Sequence, residues 1–148
     1  MYKHILIPTD GSPTADKAVE GGIEFARDAK ARVTLFTAVP EYQPPSEAQI
    51  MSRHLVVPLW EYERTSRDKA EAILEPAAAR VRAAGVPCDT SYAESDHPYR
   101  AIIESAENRG CDLILMSSHG RTGLSEFWYG SEAREVLTHS RIPTLVYR

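Results

Sequence analysis

The segment His4-Ile5-Leu6-Ile7-Pro8-Thr9-Asp10-Gly11-Ser12-Pro13 governs the reading of this 148-residue chain. His4–Pro8 is a short apolar run and predicts a buried strand. Pro8-Thr9-Asp10-Gly11-Ser12 then predicts a turn. Ser12 offers a side-chain oxygen to the free amides of a helix start. Pro13 stands at the first helical position, where its missing N–H is no loss. Ala15, Ala18, Val19, Gly22, Ala26 and Ala29 recur at helical spacing, which carries that helix to about Ala29.

The same alternation continues along the chain. Arg32–Ala38 is rich in β-formers and predicts a second strand. Pro40, Pro44, Pro45 and Pro58 interrupt the stretch from Pro40 to Trp60. Its aromatic residues mark it as a partly structured excursion, and loops of this length are usually functional or interfacial. A long helix is predicted from about Glu61 to Ala84. Ala70, Ile73, Leu74, Ala77, Ala78, Val81 and Ala84 form its apolar stripe, Pro76 kinks or breaks it, and Gly85 closes it. Cys88–Ala93 reads as a less buried third strand. A helix starts at Asp96-His97-Pro98 and ends at Gly110. Asp112–Met116 is a continuous apolar run, as in a parallel strand covered on both faces. Ser117–Gly130 is a loop, Ser131–Ser140 a short helix, and Ile142–Tyr147 a last strand. Five strands alternating with helices predict an α/β fold with a parallel sheet and right-handed crossovers, in one domain over residues 1–148.

Composition excludes several classes. The chain is 43% hydrophobic and 26% charged, with a formal charge of −4. It carries no basic stripe to hold nucleic acid. No apolar run approaches the roughly 20 residues that span a membrane, and the N-terminus lacks a signal-peptide pattern. A cytoplasmic protein is expected. Cys88 and Cys111 form no metal or redox motif and read as reduced structural residues.

Ligands of open parallel sheets sit beyond the carboxyl ends of the strands. Two loops leave such ends with unusual composition: Pro8–Ser12, and Ser117-Ser118-His119-Gly120-Arg121-Thr122-Gly123 continuing to Gly130-Ser131. Small residues let backbone close on a ligand, and free amides at a helix start attract anions. Arg121 adds a positive charge. The pattern describes a phosphate cradle, although it matches neither a Walker loop nor the dinucleotide glycine pattern. On composition alone a plain strand-to-helix turn stands equally open. Asp10 is either a ligand or the cap of its own turn, and Arg121 either a phosphate clamp or a solvated charge. His119 is either a phosphate contact when protonated or simply a polar loop residue, and His97 and His54 read as surface residues. Phe127 and Trp128, just before Gly130, read as aromatics with a packing partner.

Lys3–Ser12, Cys111–Arg121, Gly130-Ser131 and Ile142-Pro143-Thr144-Leu145-Val146-Tyr147 together resemble the universal stress protein family, over essentially the whole chain. The resemblance implies a doubly wound sheet of order 3-2-1-4-5 with helices on both faces, like the adenine nucleotide alpha hydrolase fold. It implies a homodimer through the last strands and, in one branch, ATP binding. That branch carries Gly, two residues, Gly, nine residues, then Gly-Ser or Gly-Thr. Here Ser117 replaces the first glycine, Gly120 is the second, and Gly130-Ser131 closes the motif.

By the same resemblance, Pro8, Thr9 and Asp10 contact adenosine and the metal-phosphate region, with Mg as the metal beside Asp10. Ala38 meets the adenine with its backbone, and Met116 and Ser117 flank the ribose and phosphates. Gly120, Arg121, Gly130 and Ser131 cradle the phosphates. The expected function is a stress-response, non-catalytic dimeric sensor or switch that binds ATP. Two other classes stay open: a slow ATP hydrolase on the same site, and a dimeric interaction module without nucleotide. No catalytic constellation stands out. At the sheet edge, Ile142–Tyr147 is expected to pair with its copy, centred on Thr144–Val146, with Leu145 as an edge donor.

Overall fold

In the computed structural model of the chain, which describes residues 1–53, 55–118 and 130–148, strands and helices alternate as the apolar runs predict. The elements are β1 (His4–Pro8), α1 (Pro13–Ala29), β2 (Arg32–Val39), α2 (Glu47–Met51), α3 (Leu59–Ala83), β3 (Cys88–Glu94), α4 (Pro98–Asn108), β4 (Leu113–Ser117), α5 (Gly130–His139) and β5 (Thr144–Tyr147). All strand pairs are parallel and the order is β3-β2-β1-β4-β5. This is the doubly wound α/β sheet, with the order that the resemblance implies.

The central strands β1 and β4 are buried along their whole length and mostly apolar because both faces are covered. Ile5 and Ile7 of β1 and Leu113 and Leu115 of β4 face one core with α1 and α3. Leu6, Ile114 and Met116 point the other way, into a core with α4 and α5. Phe36 is the largest fully buried side chain among the described residues. Burying one such residue contributes about 1.5–3 kcal/mol. Edge strand β3 lacks this double cover and is only half-buried.

Three helices end alike. The N–H of Lys30, Gly85 and Gly110 returns to Arg27, Arg82 and Glu107, and the next residue bonds back to Ala26, Val81 and Ala106. Each closing residue has positive φ. This motif satisfies the last carbonyls and turns the chain into the next strand. Glycine fits that conformation at two of the three positions, and Lys30 adopts it at φ 55°. Close packing of α1 on the sheet rests on Gly21 and Gly22. A Cβ on Gly22 would lie 2.4 Å from Ile7 Cδ1, and one on Gly21 2.4 Å from the Tyr147 ring.

Several boundaries differ from expectation. α3 is not broken at Pro76 and runs from Leu59 to Ala83. Pro76 lies on the solvent side together with Ala72, whose carbonyl loses its helical partner there but stays on the exposed face. The Pro40–Trp60 excursion contains α2, with a reciprocal cap between Ser46 and Gln49. The excursion folds back through Tyr42, whose hydroxyl donates to the Val57 carbonyl at 2.7 Å, and Tyr62, which donates to the Pro40 carbonyl.

β5 begins at Thr144 rather than Ile142. Pro143 has no N–H, and its carbonyl accepts from Ile114 N. Tyr147 O accepts from Ser118 N. Successive strand residues direct their backbone groups to opposite sides, so Leu145 faces β4 as well. The groups left on the outer edge belong to Thr144 and Val146, which corrects the reading of Leu145 as an edge donor.

Candidate functional site

β1 and β4 lie side by side, yet the helices after them leave to opposite faces. α1 packs with Ile5 and Ile7, and α5 packs with Leu6 and Met116. That divergence is the switch point of the sheet, where a ligand can approach the strand ends between the helices. Pro8, Thr9 and Asp10 leave the end of β1 here, and Met116 and Ser117 end β4. α5 starts at Gly130 and Ser131.

The turn after β1 is held by its own side chains. Thr9 is fully buried, and its N–H donates to the Phe36 carbonyl at 2.8 Å. Its Oγ1 accepts from Gly11 N at 3.1 Å, and Asp10 Oδ1 accepts from Ser12 N at 2.9 Å. Ser12 Oγ in turn accepts from Ala15 N and caps α1. Gly11 completes the turn at φ +78°. Asp10 therefore does serve its turn, through one oxygen, as the local reading allowed.

The Thr9–Phe36 bond is the last rung of the β1–β2 ladder. Ala38 lies two residues further along β2, so its N–H and C=O point to the same side as those of Phe36. No further rung meets them among the described residues. A donor and an acceptor on one residue thus face the space above Thr9. Beside this end of the sheet, a groove of about 570 Å³ runs between β3 and α4, bordered by Phe36, Ala93, Ser95, His97 and Ala101.

Gly120, Arg121 and His119, with Phe127 and Trp128, lie outside the described residues, as does His54. His97 is exposed, as expected. Cys111 is buried and Cys88 half-buried; both are free, and burial pushes each thiol up to about 11. They are unreactive thiols of the packing. Among the described residues, no group of three or more His, Cys, Asp and Glu side chains is placed to hold a metal, and no helix is long and apolar enough to cross a membrane.

One site-adjacent residue escaped the sequence. Glu132, in the first turn of α5, reads as an ordinary acidic partner of a helix dipole. Instead its Oε2 accepts from Tyr99 N of α4 at 2.7 Å. The missing side-chain cap at His97 is the only hint, and it is visible only once α4 and α5 are packed together.

Comparison with known proteins agrees with this geometry. The model of the universal stress protein family matches residues 1–148. The universal stress protein MJ0531 of Methanocaldococcus jannaschii is 30% identical over 152 residues, covering 100% of this chain and 83% of that protein. The solved structure of MJ0577 superposes with a TM-score of 0.73 at 29% identity, covering 99% of this chain and 95% of that one. The universal stress protein of Archaeoglobus fulgidus, solved in complex with dAMP, shares the fold at a TM-score of 0.69 and 17% identity, covering 99% and 98% of the two chains.

Proposed function

This chain belongs to the universal stress protein family, and from that premise we propose that it binds an adenine nucleotide, ATP foremost, at the β1–β4 switch point and acts as a non-catalytic dimeric sensor or switch. The observation that carries the reading is Ala38. Its N–H and C=O face the space above the last β1–β2 rung without a partner among the described residues. A donor and acceptor so spaced match the edge of an adenine ring, which presents an acceptor nitrogen beside an amino donor. A relative with the same fold is solved with dAMP.

The other residues fall into place around that ring. Thr9 and Asp10 bring the end of β1 to the adenosine, with Pro8 setting the bend. Met116 and Ser117 flank the ribose and phosphates from β4. The phosphates meet the first amides of α5 at Gly130 and Ser131, where the helix end is positive. Gly120 and Arg121 close the cradle. Asp10 is a single carboxylate, so Mg would arrive held by the phosphates and take one protein ligand from it. The dimer forms through the outer edge of β5, where Thr144 and Val146 leave backbone groups for a second copy. A switch of this kind works by binding energy: a ligand that joins α1, β4 and α5 favours the conformation in which all three are in place.

The test is Gly130→Val. On the nucleotide reading a branched side chain at this helix start would crowd the phosphates, so the variant should stay folded by circular dichroism and lose measurable ATP binding. Unchanged affinity in a folded variant would remove the cradle from this helix start.

A further inference from the structure

Helix α4 begins without a cap of its own. His97 stands at its N-cap position and makes no side-chain hydrogen bond to the first turn. The acceptor comes from the neighbouring helix, where Glu132 takes the hydrogen of Tyr99 N. Tyr99 is the second residue of α4, so its amide has no partner inside that helix. Glu132 is the third residue of α5, roughly 3 Å along the helix axis from Gly130. One half-buried carboxylate therefore serves the positive ends of two helices at once.

A phosphate at the first turn of α5 would claim one of those ends and repel the carboxylate. The conflict has two resolutions. Glu132 can leave Tyr99 and uncap α4, or it can take a proton. The second keeps α4 capped, because a neutral carboxyl still presents a carbonyl oxygen to Tyr99 N.

We infer that Glu132 is a positioning and regulatory residue of the nucleotide site: phosphate binding at α5 is coupled to proton uptake on Glu132, and the ionised carboxylate holds the site against phosphate. The inference rests on the nucleotide reading above and adds to it the residue that makes affinity depend on pH. Among the described residues, the charged or titratable groups that face Glu132 are Glu135 on its own helix and His97 at the start of α4. Burial raises its carboxyl above the usual range against the pull of the Tyr99 amide, with Glu135 adding to the rise and His97 opposing it.

Glu132→Gln separates this role from simple capping, since the amide oxygen can still accept from Tyr99 N. ATP and AMP are titrated calorimetrically into both proteins at pH 7.5 and 5.5, in buffers of different ionisation heat. The wild type should take up a proton that Glu132→Gln does not, and its affinity should rise about tenfold more on acidification. At pH 7.5 the variant should bind about tenfold tighter, as expected for removal of one like charge near the phosphates. Protonation of the ligand's own phosphate is common to both proteins and drops out of the comparison. His97→Gln should keep the wild-type difference. Carboxyl-carbon NMR gives the same answer without a variant: the Glu132 titration midpoint should rise when AMP saturates the wild type. If nucleotide binds but the midpoint and the proton count do not respond, the coupling is wrong and the nucleotide site stands. If neither protein binds ATP or AMP, both ideas fall.

Discussion

Gly11 and Gly85 both sit at positive φ, at opposite ends of the sheet, and replacing each by alanine separates the cost of folding from the cost of binding. Gly11 sits at φ +78° in the turn after β1, and Gly85 at φ +81° between α3 and β3. A Cβ on Gly11 would rest 3.6 Å from Ile73 Cγ2, an ordinary contact, and one on Gly85 would meet nothing within 4 Å. Neither change is steric. Each introduces the left-handed penalty of about 1–2 kcal/mol for a residue with a side chain. Restricting the unfolded chain returns about 0.4–1 kcal/mol. Both variants should therefore lose about 1 kcal/mol, or about 2–4 °C in melting temperature for a domain of this length. Urea denaturation with unchanged slope would measure it. Binding should part the two. Gly11 lies between Asp10 and Ser12, whose mutual hydrogen bond orients the Asp10 carboxylate. Relaxing the turn should weaken Mg-ATP binding about fivefold, close to 1 kcal/mol. Gly85 is remote from the strand carboxyl ends, and its variant should bind as the wild type does. Equal affinities in the two variants, or no stability loss in either, would refute the reasoning.

His4 is buried, and its Nε2 lies 2.7 Å from Thr34 Oγ1, whose single proton goes to Asp89, so His4 is the donor to that hydroxyl. Burial and the nearby Arg32 lower its pKa, so the unfolded chain binds the extra proton first. Stability is then complete above about pH 6.5 and falls as the medium is acidified below it; His4→Gln should flatten that fall in denaturation curves between pH 7 and 5. Asp112 is pushed up by burial but held lower overall by the amides of His4 and Lys3, which donate to it. Its contribution is present above the ordinary carboxyl range and disappears below it, and Asp112→Asn should remove that acid step. Ser117→Gly restores the glycine of the family motif and should leave ATP affinity equal or tighter by calorimetry; a tenfold loss, about 1.4 kcal/mol, would make the serine itself a ligand. Val146→Pro removes an outer-edge N–H without touching the β4 ladder, so by analytical ultracentrifugation it should shift dimer to monomer. A wild type that sediments as a monomer at micromolar concentration would end the β5 dimer proposal.

The fold was legible because the sequence signals were redundant. His4–Pro8 and Asp112–Met116 read as buried strands from their apolar runs, and helices cover both faces of β1 and β4. Ser12 and Pro13 marked the start of α1 to the residue. What stayed hidden was set by tertiary contact or by competing local signals. Pro76 spoke for a break, but its solvent-facing position lets α3 continue. Ser46 and Gln49 carried a legible cap for α2, masked by the prolines around it. Around the candidate site, the loops that hold Thr9, Asp10 and Ser117 stood out because a parallel sheet exposes its strand ends there. The direction of the Ala38 backbone needed the register of β2 against β1, and the reach of Glu132 to Tyr99 needed the packing of α5 on α4. Neither has a local sequence signature.

The most direct measurement is calorimetric titration of the dialysed, nucleotide-free protein with Mg-ATP at neutral pH. Saturable binding of one nucleotide per chain is expected, retained in Gly85→Ala, weakened in Gly11→Ala and abolished in Gly130→Val. No heat and no saturation in the folded wild type, with ATP or with AMP, would contradict it.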